Sequence, residues 1–570
     1  GSTIEIFYAA SVRSMSANWH DFLFGAFDPA GTVTVDKLPG ALWVQALSVR
    51  LFGFHVWSVM LPQAVEGVLA VLVLFRAVRR LAGPLAGLVA GVVLAASPAT
   101  TTLDRGNVPD SLMILLLVLA ADSTVTAILN GRWRSLVMAG LWVGLAFQAK
   151  MIEAWLVLPA FGLAFLLAGR GEWVARVGRL AILGVVAAAI SLSYITFVSL
   201  TPASHRPYVD GSTHNSIYQQ VFDYNGFSRV GQKSPNATLA RTLGSPLFSQ
   251  SEPAPVWNRL FTRSYGRDTG WLLPAALLAA LAVLWQRRRA ERFDPWRVGA
   301  LLWGIWLLTL SVVFTISTTM NSYYAGALSP AVAGLLGIGV ALAWEHRGEV
   351  RTLVTVGVTV LLTVAYAAWL LPTKGTGLPD GVAAVTIGLG LVAALVLGMG
   401  VWRARQRSGS QWMGAAGLCV AAAAVLLVPA VASASVVAEG LGAFDTPFQP
   451  QPVTIANRTV FGPVSSPPGL AKIETVQKGT PDLMAAQTSA VAALYIFATG
   501  QEVLPLGGYT GTIPTPTVAV ISSDIASGAF HLALIASPTA TASARYITQH
   551  CLRVSAAQGT EAKLTVYFCQ

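Results

Sequence analysis

"WSVMLPQAVEGVLAVLVLFRAVRRLAGPLAGLVAGVVLAASPAT", residues 57–100, holds two apolar runs of membrane-crossing length parted by Arg76, Arg79 and Arg80. A run of about 20 apolar residues suffices to cross a bilayer, and arginines collect in the gaps that stay cytoplasmic. The stretch therefore reads as a pair of membrane helices turned on the inside. The same grammar continues along the chain. Basic gaps recur at Arg132 and Arg134, at Arg170, Arg176 and Arg179, at Arg287 to Arg289 with Arg292 and Arg297, at Arg347 and Arg351, and at Arg403, Arg405 and Arg407. Every second gap is basic, and those between are polar or acidic. Of the 570 residues 54% are hydrophobic and 11% charged, against roughly a quarter charged in a soluble protein. A soluble core is excluded on those grounds. The net charge of +11 reports orientation, and no nucleic-acid partner is expected.

Following the alternation predicts about twelve spans, at 57–75, 84–100, 110–129, 135–149, 152–168, 180–200, 269–286, 298–317, 326–345, 352–371, 381–402 and 413–436. The first exits inward at Arg76, so residues 1–56 form a first external loop. A chain starting outside calls for an earlier span or a cleaved signal. Gly1-Ser2 resembles an expression remnant, and a preceding helix is expected to be missing. The last span exits outward, which puts residues 437–570 outside as well. After the Pro- and Ser-rich "DTPFQPQPVTIANRTVFGPVSSPPGL" (445–470), helical and strand patterns alternate with Gly/Pro turns, as in a small α/β domain. Cys551 and Cys569 lie in that part, where an oxidising compartment favours a disulfide. The fold class expected is a polytopic α-helical membrane protein with a small extracytoplasmic α/β domain. The membrane domain is read as 1–436, with a long external loop at 201–268.

The outward gaps collect nearly all the unusual polar residues. The first loop holds Glu5, Tyr8, His20, Asp21, Asp28, Asp36 and Lys37; the second, Asp104, Arg105, Asn107 and Asp110; the third, Lys150 and Glu153. The long loop adds His205 and Arg206, and "TTMNSYYAG" adds Tyr323 and Tyr324. Ionisable groups near a membrane are costly unless paired or wetted, so their convergence on one side points to a cavity. Each has a bland reading too. Lys150 and Glu153 are spaced to pair on one helical face; Asp104, Arg105 and Asp110 suit helix ends. His20 and Asp21 suit a solvated surface, His205 and Arg206 suit lipid headgroups, and Glu66 and Asp122 suit buried hydrogen bonding. Metal, Walker and dinucleotide motifs are absent from the sequence. General-base chemistry on carboxylates fits better, with Glu5 or Asp36 taking a proton from an acceptor hydroxyl. Lys37, Arg105, Lys150 or Arg206 would neutralise a departing phosphate. Glu5, Asp36 and His205 could hold a divalent metal, but no spacing enforces one.

The stretch "IEIFYAASVRSMSANWHDFLFGAFDPAGTVTVDKLPGALWVQALSVRLFG" (4–53) resembles the first external loop of GT-C glycosyltransferases, above all protein O-mannosyltransferases and bacterial aminoarabinose transferases. The matches are Glu5 before Tyr8-Ala9, then Asp36-Lys37-Leu38-Pro39, then "GALWVQALSVRLFG", with Asp110 and the "AK" at Lys150 matching in position. "FDPAGTVTVDK", "WSVMLPQ", "GLAFQAKM", "RPYVDGST", "YNGFSR" and "MNSYYAGALSP" resemble a bacterial, especially actinobacterial, branch of glycosyltransferase family 39. The resemblance covers residues 4 to about 345. It departs where Ile4 precedes Glu5 in place of a second acid, and where Leu38 replaces a proline.

It implies a GT-C fold and an inverting transferase taking a sugar from a polyprenyl-phosphate donor to an extracytoplasmic glycan, lipid or protein acceptor, such as a cell-wall polymer. Residues 18–43 would form amphipathic helices on the membrane that set Asp36 and Lys37 over the lipid phosphate. Tyr8, Asp104, Asn107, Asp110, His205, Tyr323 and Tyr324 are the candidate substrate contacts. A transporter or flippase, or a non-catalytic accessory subunit, is the alternative; charges on one face and no repeat argue against transport.

Overall fold

The computed structural model describes residues 3–231, 235–244, 256–318, 320–371, 376, 378–406, 409–449, 454, 463, 466–537, 539–556 and 564–570. Much of the Pro- and Ser-rich segment, residues 232–234 and 245–255 of the long loop, and Arg407 lie outside the described residues.

Among the described residues nine helices are long and apolar enough to cross a membrane. They absorb the expected spans unevenly. Helix Val56–Ala95 contains two of them, broken at Ala82 and Gly83, where Gly83 has φ +85° and Pro84 follows. The chain reverses at this break. A Cβ on Gly87 would stand 2.7 Å from the Phe75 carbonyl, and one on Gly91 would meet Val71, so the two halves pack as an antiparallel hairpin. Arg134–Ala168 also carries two spans, joined by a 3-10 turn at Met151–Val157. The stretch Gly270–Gln286 is a shorter apolar helix. Glycine at the close approaches is what a membrane bundle needs, because backbones can then meet without intervening side chains.

The basic gaps share one end of the bundle. Arg170 lies over Phe293 at 5.3 Å, Arg292 donates to the Gly171 carbonyl, and Arg287 pairs with Asp294 and Glu345. Two of those arginines also meet Asp122 inside the membrane region: Arg76 at 2.7 Å and Arg80 at 2.9 Å. The polar loops gather at the other end.

There the first loop folds as three helices. Ile6–Ala17 ends at Asn18, whose side chain caps the next helix, Trp19–Phe24, by accepting from the Asp21 N–H. Gly25 (φ +65°) stops that helix against Pro39. Asp28 then accepts from the Thr32 and Val33 N–H groups, folding "DPAGTV" into a tight turn. Single bridges Ala26 to Thr34 and Val33 to Tyr208 tie this turn to the long loop. Helix Gly40–Phe52 follows, buried through Leu42, Ala46 and Val49 and showing an apolar outer row of Val44, Leu47, Leu51 and Phe52. Its Gly40 lies against the Gln148 carbonyl, which brings Asp36-Lys37 beside the end of helix Arg134–Lys150.

The C-terminal part contains a five-stranded sheet in the order β2-β1-β3-β5-β4: β1 Met484–Ala486, β2 Val503–Pro505, β3 Leu532–Ile535, β4 Leu552–Ala556 and β5 Thr565–Phe568. Strands β2, β1 and β3 run parallel, and β5 is antiparallel to both β3 and β4. Cys551 and Cys569 are bridged, joining the start of β4 to the end of the chain. Helix Ser489–Thr499 of this domain packs on Ile6–Ala17, and Arg13 donates to the Phe497 carbonyl.

Candidate active site

Lys37 stands where three loops meet. Its register is fixed by the long loop: the Gln220 amide donates to the Val35 carbonyl at 2.8 Å and the Asn225 amide to the Asp36 carbonyl at 2.7 Å. The Lys37 Nζ lies 3.6 Å from Asp36 Oδ1 and 4.7 Å above the Tyr8 ring. Burial pushes its pKa below the ordinary lysine value; Asp36 and Asp110 oppose that push, whereas Arg229 and Lys150 add to it. Asn225 links the Asp36 carbonyl to Arg229, and Arg229 and Lys150 both meet Tyr324, so the three cations lie in one region. Asp36 pairs with Lys37, and Asp110 and Glu153 pair with Lys150, which leaves Arg229, on neutral side-chain acceptors, as the cation that most favours a further anion.

The second cation is set by a helix end. Helix Arg134–Lys150 breaks at Met151, which has φ +51°, and the break aims Lys150 at Asp110 and, at 3.1 Å, at Glu153. Asp110 is fully buried. Tyr324 and Tyr323 face the ammonium at 4.1 and 5.1 Å and stand edge-to-face 4.9 Å apart. The structural reading and the ligand reading of Lys150 thus meet in one place: it is paired, and it borders the cleft.

Arg229 is the residue that sequence reasoning missed. It lies just past a π-helical turn, Gln219–Phe227, which also carries Tyr224 and Asn225. Its guanidinium donates to the Tyr324 hydroxyl and to Asn225 Oδ1 at 3.0 Å, both neutral acceptors. The surrounding tyrosines and Asp36 outweigh its burial and hold its pKa above the usual value. "YNGFSR" was visible as a motif, but nothing local told that its arginine would reach across to Tyr324.

Glu5 caps helix Ile6–Ala17 by accepting from the Phe7 N–H at 3.2 Å. Asn107 grips its backbone on both sides: Oδ1 accepts the Glu5 N–H at 2.7 Å, and Nδ2 donates to the Glu5 carbonyl at 2.9 Å. Burial raises the Glu5 carboxyl from 4.5 to about 7, against the pull of the Phe7 N–H and Lys37. A carboxyl poised near neutrality can both take and return a proton.

The other candidates fall outside this cluster. Asp104 turns toward helix Val56–Ala95, against Gly67 and beside Glu66, and accepts from Ser111 at 2.8 Å. Burial lifts its pKa to about 7. Arg105 is half-buried in the same turn and is not among the charges that act most strongly on Lys37. Arg206 is spent holding its own loop, donating to Thr201, Pro207 and Asn215, though it lines a narrow pocket together with Lys37. His205 is exposed, and its carbonyl meets His20 at 3.2 Å. No group of three or more His, Cys, Asp or Glu among the described residues could hold a metal.

Several buried polar atoms have no hydrogen-bond partner: Asp36 Oδ1, Asp110 Oδ2, Glu153 Oε1 and Tyr224 Oη. Such atoms are costly in an apolar setting. Gathered around a cationic cleft, they mark a site built for a polar ligand.

Two family models match the chain: "Dolichyl-phosphate-mannose-protein mannosyltransferase" over residues 36–195, and "Putative mannosyltransferase YkcB-like, C-terminal" over residues 470–552. Two Bacillus subtilis (strain 168) proteins that bear mannosyltransferase names resemble it along most of their length. YycA is 28% identical, covering 92% of this chain and 87% of its own; YkcB is 26% identical, covering 92% and 84%. The crystal structure of ArnT from Cupriavidus metallidurans bound to undecaprenyl phosphate superposes with TM-score 0.50 at 18% identity, covering 99% of this chain and 93% of that one. It shows a shared fold.

Proposed function

We propose that the chain is a glycosyltransferase of the GT-C, family-39-like kind, and that it transfers a monosaccharide from a polyprenyl-phosphate donor to a hydroxyl of an extracytoplasmic acceptor, with inversion. The observation that carries this reading is the gathering of Lys37, Lys150 and Arg229 about Tyr324, Asn225 and Tyr8, with Asp36 3.6 Å from Lys37 and Glu5 on the same helix end as Tyr8. A phosphate among the cations supplies the anion that Arg229 favours. The acceptor oxygen then forms its bond to the anomeric carbon as the bond from that carbon to the phosphate oxygen breaks. Polyprenyl phosphate leaves with the electron pair, stabilised by Lys37 and Arg229. The hydroxyl proton passes to Glu5, while Asp36 holds Lys37 in place. Tyr8, Tyr323 and Tyr324 shape the donor side, Asp110 orients Lys150, and Asn107 fixes Glu5.

This reading makes residues 1–436 the catalytic membrane domain and 437–570 an external domain, in a bacterial plasma membrane. The basic gaps at the opposite end of the bundle support that orientation. YycA and YkcB suggest mannose as the sugar, and the ArnT complex suggests undecaprenyl phosphate as the carrier.

The test is release of polyprenyl phosphate from polyprenyl-phosphate mannose by purified protein. Glu5→Gln is expected to slow turnover about 10²-fold or more. Lys37→Ala is expected to raise donor KM more than it lowers kcat, because a phosphate cation acts in ground and transition states alike. Full turnover by both Glu5→Gln and Asp36→Asn would end the assignment.

A further inference from the structure

The small domain turns the carboxyl ends of its parallel strands toward the carboxylates of the membrane domain. In open α/β sheets that edge is where ligands bind. The loop after β2, Gly507–Gly511, reaches furthest. The Tyr509 N–H donates to Asp210 Oδ2 at 2.8 Å, and its ring meets Phe7 edge-on at 4.8 Å. Gly508 has φ +64°, and a Cβ there would fall 2.4 Å from Asp210 Oδ1. The loop is made to approach that closely. Contacts with Asp210 and Phe7 set Tyr509 between the long loop and the helix that Glu5 caps. Burial pushes its ionisation well up, Glu5, Asp36 and Asp210 adding to that and Arg229 opposing it. Asp36 and Asp210 act on Tyr224 in the same way, and Tyr224 Oη is one of the buried atoms with no partner. Glu5, Lys37, Tyr224, Arg229 and Tyr509 all keep partial exposure, whereas Asp36 and Asp210 are buried.

One part of the cleft is therefore cationic and suits phosphate. The other is acidic and aromatic. Carboxyl groups exchange hydrogen bonds with hydroxyls, aromatic faces take the C–H face of a pyranose, and a side lined by acids disfavours a second phosphate. We propose that the small domain completes an acceptor subsite in which Tyr509 forms the stacking wall for a neutral, hydroxyl-rich acceptor, the end of a glycan, whose hydroxyls meet Asp36 and Tyr224. The proposal rests on the transferase reading for its meaning, but its test does not depend on turnover.

The full chain in lipid nanodiscs is titrated with methyl α-mannoside and with mannose 6-phosphate, followed by saturation-transfer NMR; undecaprenyl phosphate affinity is measured in parallel. The neutral glycoside is expected to bind about tenfold more tightly than the phosphorylated sugar. Tyr509→Ala is expected to weaken the glycoside about tenfold and leave undecaprenyl phosphate affinity unchanged. Tyr509→Phe should stay close to wild type, as should Tyr546→Ala elsewhere in the small domain. Tyr509→Leu keeps an apolar contact on Phe7 without an aromatic face, and it decides the matter should the alanine variant unfold. Wild-type glycoside binding by both Tyr509→Ala and Tyr509→Leu, or equal binding of the two sugars, overturns the subsite. Failure of the wild type to bind undecaprenyl phosphate would instead strike the donor reading, leaving the glycoside result to judge the subsite alone.

Discussion

Glu5, the base proposed above, is a carboxyl held against its own preference. Its carboxyl rests in a setting that favours the protonated form and raises it from 4.5 to about 7. Because the folded pKa lies above the unfolded one, the contribution to stability is full below about pH 4.5 and is lost as the pH rises through 7. The base, however, works only when ionised. Activity and stability should therefore move in opposite directions across neutrality. Glu5→Gln is expected to turn over about 10²-fold more slowly or worse, yet to be more stable than wild type at pH 8, by about 3 kcal/mol. Wild-type kcat/KM should climb through pH 7 to a plateau. Denaturation of the two proteins at pH 5 and pH 8 checks the first statement, and a pH–rate profile checks the second. A Glu5→Gln protein no more stable at pH 8 than at pH 5, relative to wild type, would show that the carboxyl is not strained by its surroundings.

Elements divide according to whether their cause is local. The hairpin at Ala82-Gly83 was readable because Arg76, Arg79 and Arg80 end one apolar run and Pro84 opens the next; the spans at 57–75 and 84–100 follow from residue chemistry within the hairpin itself. Lys37 and Lys150 were readable as candidates because a lysine beside apolar segments is conspicuous anywhere. Arg229, Asp210 and Tyr509 were not, since each owes its place to contacts far along the chain: Arg229 to Tyr324, 95 residues on, and Tyr509 to Asp210, 299 residues back. A loop arginine and a loop tyrosine look alike in every local window. Asp104 and His205 fail for the reverse reason. They sit in the right loops, but one turns to the membrane helix at Gly67 and the other to solvent. The loop after β2 allows an element-scale test. Gly508→Ala places a Cβ on Asp210 at a positive φ, and is expected to cost about 1–3 kcal/mol of stability and to lower the thermal midpoint, whereas Ala at the uncrowded helical Gly388 should not. Equal midpoints would mean that the loop does not rest on Asp210.

At the scale of the whole molecule, the question is what keeps the C-terminal α/β part seated on the helical part. Part of the answer is a pair of acids. Glu502, at the start of β2, accepts the Ala30 N–H at 2.7 Å and sits beside Asp28 of the first loop; both are buried. Two neighbouring carboxylates cannot both ionise cheaply, so the pair retains a proton. Burial and the proximity of Asp28 push Glu502 well up, and burial raises Asp28 to about 6. Raised values mean that the seat is firm at low pH and weakens as the pH rises through about 6. Glu502→Gln removes one charge while keeping an oxygen for the Ala30 N–H. Its thermal midpoint should exceed that of wild type at pH 8, by about 2–4 °C for each kcal/mol regained, and match it near pH 5. A scan from pH 5 to pH 8 in detergent measures both curves, and parallel curves would show that docking ignores the pair. On the proposed subsite, where the C-terminal part brings Tyr509 beside Asp210, a looser seat at high pH should also weaken glycoside binding before it alters undecaprenyl phosphate affinity, so that one shared proton would govern both docking and the proposed acceptor wall.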